Sequence, residues 1–93
     1  MKATLIENLV GWNGDARLYK VDPPMTYEDG RQTKYVVVSA VNVLPYGPET
    51  YIFPANSKGE VLDWLELPGS FRGALDHTRA LEGAGYHLNI NIQ

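Results

Sequence analysis

The stretch from Glu66 to Leu88 carries residue types from which a catalytic site could be built. Ser70, Asp76 and His77 lie close together in the chain. Serine, aspartate and histidine are the three residue types of a nucleophilic triad. Adjacent residues on a helix point about 100° apart, however, so Asp76 is badly placed to orient the imidazole of His77. Ser70 also lacks the Gly-x-Ser-x-Gly elbow of many hydrolases. We therefore expect no enzymatic activity, and a small hydrolase or ligand binder using the Ser70–His77 region is kept as an alternative.

We expect no metal and no cofactor. His77 and His87 are the two histidines, the chain has no cysteine, and no H-x-x-x-H or H-E-x-x-H spacing gathers ligands. Gly69 and Gly73 flank Arg72, where a helix start could bind an anion. The Walker pattern is absent, so we interpret these glycines as the entry to a helix.

A short helix is predicted at the end of this stretch. Asp76 is a suitable N-cap, which places the first turn at His77. The left-handed cap at the other end is expected at Gly83 or Gly85. A start at Ser70 is the alternative, and it would run the helix through a glycine at a cost of about 1 kcal/mol. The apolar face of the helix would comprise Ala80, Leu81 and Ala84.

The N-terminal part of the chain predicts a β-hairpin. Asn13-Gly14 suits a two-residue turn, because both residue types tolerate positive φ. The arms would be residues 3–12 and 15–21, although the first arm also fits one face of a helix. Pro23-Pro24 should end the second strand, since proline cannot donate to a ladder. The polar residues 25–34 that follow predict a mobile loop.

The remaining strands are predicted from alternation. Residues 35–44 are apolar on both faces, which is typical of a central strand covered on both sides. "TYIFPA" predicts another strand, "NSKG" a turn, and "EVLDWLEL" a segment that could pair back. Residues 86–93 alternate between apolar and polar side chains, as in a half-covered antiparallel strand.

These elements predict one compact α+β domain over residues 1–93. Its five- to six-stranded, mostly antiparallel sheet would carry one short C-terminal helix. A helix of two to three turns cannot cover both faces of such a sheet. Either the sheet curls around its own core, or a partner covers the second face. A self-associating domain that forms a homodimer through the sheet face is therefore one functional hypothesis.

Charge and composition exclude several kinds of partner. The formal net charge is −3, which argues against a non-specific nucleic-acid binder and against docking on an anionic membrane. The absence of cysteine suits a reducing compartment. The N-terminus is too polar for a signal peptide and no stretch could span a membrane, so we expect a cytoplasmic protein.

Aromatic side chains at turns are the stronger functional indication. A large ring presented by a turn is typical of a binding hot spot. Each ring taken singly also has a structural explanation: Trp64 could pack at the sheet edge or under the helix, and Trp12 could be core or surface. The predicted protein-binding residues are Trp12, Tyr46, Trp64, Phe71, Arg72 and His77.

Three segments carry a resemblance to a known group of proteins. "GWNGDARLYKVDPP", "YVVVSAVNV" and the stretch from Pro48 to Tyr86 resemble small accessory proteins of bacteriophages that infect actinobacteria, such as mycobacteriophages. Such proteins have no established activity, so no functional residue can be transferred. The resemblance implies a product of the infected cell that binds a host protein and interferes with it.

Overall fold

The computed structural model describes residues 1–27 and 30–89, which form six strands and one helix. The elements in chain order are β1 (Lys2–Leu9), β2 (Asp15–Tyr27), β3 (Arg31–Val43), β4 (Gly47–Ala55), β5 (Phe71–Arg72), α1 (His77–Gly83) and β6 (His87–Asn89).

The strands form a single curled sheet in the order β5-β4-β3-β2-β1-β6. All neighbouring strands are antiparallel except β1 and β6, which are parallel. The predicted α+β class, with a mostly antiparallel sheet and one short helix, is confirmed. The antiparallel assignment of the last strand was wrong for His87–Asn89, because α1 carries the chain back to the far edge of the sheet beside β1. Residues 90–93 of that predicted strand lie outside the described residues.

β1 and β2 form the predicted hairpin, and the helical alternative for the first arm is wrong. Leu9 pairs with Ala16, so the connection spans residues 10–14 and is longer than a two-residue turn. Gly14 explains part of the difference. Its φ is +83°, and its backbone lies so close to Ala40 and Val41 that a Cβ atom would collide with them. The end of the loop therefore packs against the C-terminal part of β3.

Pro23-Pro24 interrupts β2 without ending it, which corrects the sequence prediction. The ladder to β3 is lost after Lys20 and resumes at Met25, opposite Thr33. Neither proline can donate a hydrogen bond, so the pairing fails locally and recovers beyond them. Residues 25–34, which were predicted to form a loop, therefore include the end of β2 (25–27) and the start of β3 (31–34), and these two strand ends pair with each other. Residues 28 and 29 lie outside the described residues.

The central strand is buried on both sides, as predicted. Val36 and Val38 belong to a core cluster beneath α1, whereas Val37 belongs to a second cluster on the opposite face. All three side chains are fully buried. The sheet thus has two packed faces, and both clusters consist of side chains of this chain.

The second face is covered by the segment that follows β4. Gly59 lies so close to Leu9 and Leu18 that a Cβ atom there would be 2.9 Å from the nearer leucine. The same segment bridges to β4 at Val61 and donates from the amide of Leu62 to the carbonyl of Pro54. "EVLDWLEL" therefore pairs back on β4 through one isolated bridge at Val61 and single backbone hydrogen bonds from the amides of Leu62 and Leu67, without forming a strand. The chain itself thus supplies part of the cover on this face.

α1 begins and ends as predicted from Asp76 and Gly85. The Asp76 carboxylate accepts a hydrogen bond from the amide of Arg79 at 3.0 Å, which satisfies a free amide of the first turn. At the other end Gly85 has φ +95°, and the amide of Tyr86 donates to the carbonyl of Leu81. This is a Schellman cap. The alternative start at Ser70 is wrong, because β5 follows that residue.

Candidate interaction surface

Ser70 is a structural residue of the loop before β5. Its hydroxyl accepts a hydrogen bond from the amide of Ile52 and donates one to the carbonyl of Leu67, both at 2.9 Å. The Asp76 carboxylate caps α1. The three side chains of the hypothetical triad thus have separate partners. Those of His77 lie in β2.

His77 is buried with 7% exposure, so its assignment as a surface contact residue was wrong. Its Nε2 lies 3.0 Å from the carbonyl oxygen of Asp15, and its Nδ1 lies 3.1 Å from the hydroxyl of Tyr19. A carbonyl only accepts, so Nε2 carries the proton and Nδ1 accepts from Tyr19. Burial lowers the pKa of His77. The imidazole therefore ties the first turn of α1 to β2 in its neutral form.

Phe71 and Arg72 point to opposite faces of β5. Phe71 is half-buried against the cluster beneath α1, and the guanidinium carbon of Arg79 lies 4.4 Å from its ring centroid. Phe71 thus lies at the margin of the core. Arg72 reaches the other face, where its Nε donates to the Glu49 carboxylate at 3.0 Å.

Four aromatic rings form a continuous row on the face opposite α1. The ring centroids of Trp12 and Trp64 are 5.7 Å apart, those of Trp64 and Phe53 are 5.2 Å apart, and those of Phe53 and Tyr51 are 5.9 Å apart. We call Trp12, Trp64, Phe53 and Tyr51 the aromatic row. Three different parts of the chain supply it, namely the β1–β2 loop, strand β4 and the segment after β4.

The rings of the aromatic row differ in solvent exposure. Phe53 is 9% exposed and forms the floor, whereas Trp12 and Tyr51 are half-buried. Trp64 is 68% exposed and stands above Phe53 in an edge-to-face contact. Trp64 thus packs against two other rings and still exposes most of its indole surface to solvent, where another molecule could contact it.

Charged groups surround the aromatic row. The Tyr51 hydroxyl donates to Glu49, which also accepts from Arg72. The hydrogen bonds to Glu49 raise the pKa of Tyr51 and of Arg72, and the charge of Glu66 raises both further. Beside Trp64, the Asp63 carboxylate accepts from Arg31 at 3.4 Å.

Of the six residues predicted from the sequence, the structure brings together Trp12, Trp64 and Arg72. Tyr46 is 80% exposed in the β3–β4 turn, but no ring contact joins it to the row among the described residues. Sequence reasoning missed Tyr51 and Phe53. Their spacing within a predicted strand was a usable signal, because residues two apart in a strand share one face.

No family model matches the chain, and no curated protein or solved structure matches it either. Over the described residues, no helix combines the length and apolar character needed to cross a bilayer. In the same part of the chain, no three His, Asp or Glu side chains are grouped as metal ligands.

Proposed function

We propose that this chain is a non-enzymatic binding domain that engages a protein partner through the aromatic row. The observation that carries the proposal is the 68% exposure of Trp64, which packs against the rings of Trp12 and Phe53. Tryptophan is among the residues most enriched at binding hot spots. A ring that is mostly in solvent contributes little to folding, so its position is better explained by a partner that covers it.

The surroundings of Trp64 support the same proposal. Trp12 and Phe53 fix one side of the indole, so little side-chain freedom would be lost when a partner covers the other side. The charged groups of Asp63, Glu66 and Arg72 lie around the rings and would form a polar rim. Binding would act by steric occupation of the partner's surface.

The resemblance to bacteriophage accessory proteins supplies the biological setting of the proposal. The domain would be made in the cytoplasm of the infected host, where it would bind a host protein and interfere with its function. The two other hypotheses have less support. The chain itself covers both sheet faces, which weakens a homodimer through the sheet, and the hydrogen bonds of Ser70 and His77 serve the fold.

A paired capture experiment tests the proposal. The tagged protein and its Trp64→Ala variant would be incubated with lysate of an actinobacterial host, and the captured proteins would be quantified by mass spectrometry. We expect one stoichiometric host protein that the variant loses. Leu44→Ala is the matched control, because Leu44 is also a mostly exposed apolar residue, at 82%, but lies in the β3–β4 turn. A partner that Trp64→Ala retains, or no partner beyond background, would contradict the proposal.

A further inference from the structure

We infer that a cavity beside Pro23-Pro24 binds the phosphate group of a small phosphorylated molecule. The cavity shares no residue with the aromatic row, so the inference goes beyond the proposed function and does not depend on it. Three observations support it: an opening in the sheet that the fold holds in place, two lysines without partners that line it, and a positive local charge on an acidic chain.

The cavity lies where the ladder between β2 and β3 is interrupted. The ladder stops at Lys20 and resumes at Met25, so residues 21–24 of β2 stand opposite Lys34 alone, as in an enlarged bulge. Lys34 pairs with neither β2 nor β4 in the described ladders. The opening has a volume of about 260 Å³ and is lined by Lys20, Val21, Asp22, Pro24 and Lys34.

Contacts on the other side of β2 hold this opening in place. Val21 stays paired with Ala3 of β1. The buried Tyr86 donates from its hydroxyl to the carbonyl of Pro23 at 2.8 Å, and the ring of each proline fixes its φ angle. The cavity is therefore formed before a ligand arrives, which reduces the entropic cost of binding.

Lys20 and Lys34 are the cationic groups of the cavity, and both are exposed. Within residues 1–27 and 30–89, neither ammonium group takes part in an ion pair. The arginines differ, because each already has a partner in the fold: Arg17 with Asp15, Arg31 with Asp63, Arg72 with Glu49, and Arg79 with the ring of Phe71. An anion in the cavity would therefore displace no carboxylate from the two lysines.

Asp22 is the one acidic side chain that lines the cavity in the described part of the chain. It lies opposite Lys2 in the β1–β2 ladder, and directly opposed side chains project from the same face about 5 Å apart. Lys2 thus offsets the charge of Asp22. Three lysines and one aspartate leave two positive charges here, whereas the whole chain carries a net charge of −3.

Two uncompensated ammonium groups favour a compact dianion. A phosphate monoester carries close to two negative charges at pH 7 and has three acceptor oxygens, so one group could accept from both lysines. A single carboxylate would neutralise only one of them. The volume of about 260 Å³ is below the roughly 300–1,000 Å³ of pockets for drug-sized ligands, which suits a small molecule.

Amide NMR spectra recorded during titration test the inference with defined probes. Inorganic phosphate and methyl phosphate are the phosphate probes, and acetate and succinate at equal ionic strength are the carboxylate probes. We expect methyl phosphate to shift the amide signals of residues 20–22 and 34 saturably, with an affinity about five-fold higher than that of either carboxylate. Succinate or inorganic phosphate that binds more tightly than methyl phosphate would overturn the inference, as would shifts that do not saturate.

Lysine substitutions show which charges hold the ligand. Lys20→Gln and Lys34→Gln should each weaken the binding of methyl phosphate about five-fold, the upper value for an exposed ion pair. Lys58→Gln is the matched control, because it removes the same charge from an exposed turn outside the cavity, and it should leave the affinity unchanged. Equal losses in all three variants would show attraction by net charge alone and would overturn the inference.

Two further variants separate this cavity from the rest of the surface. Asp22→Asn removes the one carboxylate that lines it and should strengthen binding about two-fold; a weakened affinity would contradict the assignment. Trp64→Ala should bind methyl phosphate as the native protein does. If Trp64→Ala loses the phosphate, the anion binds at the aromatic row and the inference is wrong, whereas the proposed function would be unaffected.

Discussion

Replacing Gly69 with alanine tests the close packing of the loop before β5 against α1 and Ile52 of β4. A Cβ atom at Gly69 would lie 2.8 Å from Cδ1 of Ile52 and 3.0 Å from the amide nitrogen of Ala84, and it would collide with the carbonyl oxygen of Ala80. The φ angle of +105° is also strained for any residue with a side chain. Both effects destabilise the folded state.

The magnitude follows from these two contributions. A positive φ costs a non-glycine residue roughly 1–2 kcal/mol, and overpacking of a closely packed site adds roughly 1–3 kcal/mol. We expect Gly69→Ala to lower the free energy of unfolding by about 2–5 kcal/mol. That is a large fraction of the total for a domain of this size, which is of the order of 5–15 kcal/mol.

Gly73→Ala is the matched control. Gly73 has nearly the same φ, +109°, but a Cβ atom there would have no neighbour within 4 Å. It should therefore cost only the roughly 1–2 kcal/mol of the backbone term. Urea titration followed by circular dichroism measures both variants. Equal losses in the two variants would show that α1 does not pack against Gly69 as described.

Three further predictions concern the residues that hold α1 in place. His77→Phe should destabilise the fold by about 1–3 kcal/mol, because the hydroxyl of Tyr19 loses its buried acceptor; thermal melts would measure the loss, and an unchanged melting temperature would contradict it. Burial lowers the pKa of His77, so its stabilising effect is complete above the unfolded pKa of about 6.5 and is lost as the pH falls below that value; the melting temperature should fall between pH 7 and pH 5 more steeply in the native protein than in His77→Phe, and parallel curves would refute this assignment. Asp76→Ala should cost about 1 kcal/mol through loss of the cap to Arg79, whereas Asp76→Asn should retain most of the stability in the same urea titration; equal losses would show that the cap is unimportant.

The elements that sequence analysis predicted correctly are those defined by local chemistry. The β-branched residues of β3 indicate a strand apolar on both faces, and Asp76 indicates the start of α1. Both signals act within a few residues along the chain. These elements can therefore be predicted without knowledge of the tertiary structure.

The errors have tertiary causes. Pro23-Pro24 stays within β2 because β1 and β3 hold the chain on either side of the interruption. The direction of β6 depends on where α1 crosses the sheet, which no local pattern specifies. His77 was included among the predicted contact residues, yet the docking of α1 on β2 buries it against Tyr19.

The candidate site was predictable only in part. Trp12 and Trp64 were recognised as rings near turns, but their contact joins residues far apart in the chain. Phe53 and Tyr51 were not predicted as site residues, because the sequence of their segment indicates only a strand. Their role depends on the segment after β4 folding back over the same face, a packing that alternation within one strand does not predict.

The central claim is that Trp64 is an exposed ring supported by the fold rather than a member of the core. Trp12→Phe leaves Trp64 as the single tryptophan of the chain, so its fluorescence can be measured alone in the folded protein. We predict a red-shifted emission and collisional quenching by acrylamide close to that of a free tryptophan derivative. A blue-shifted emission that is protected from acrylamide would contradict the account, because Trp64 would then be buried and unable to meet a partner.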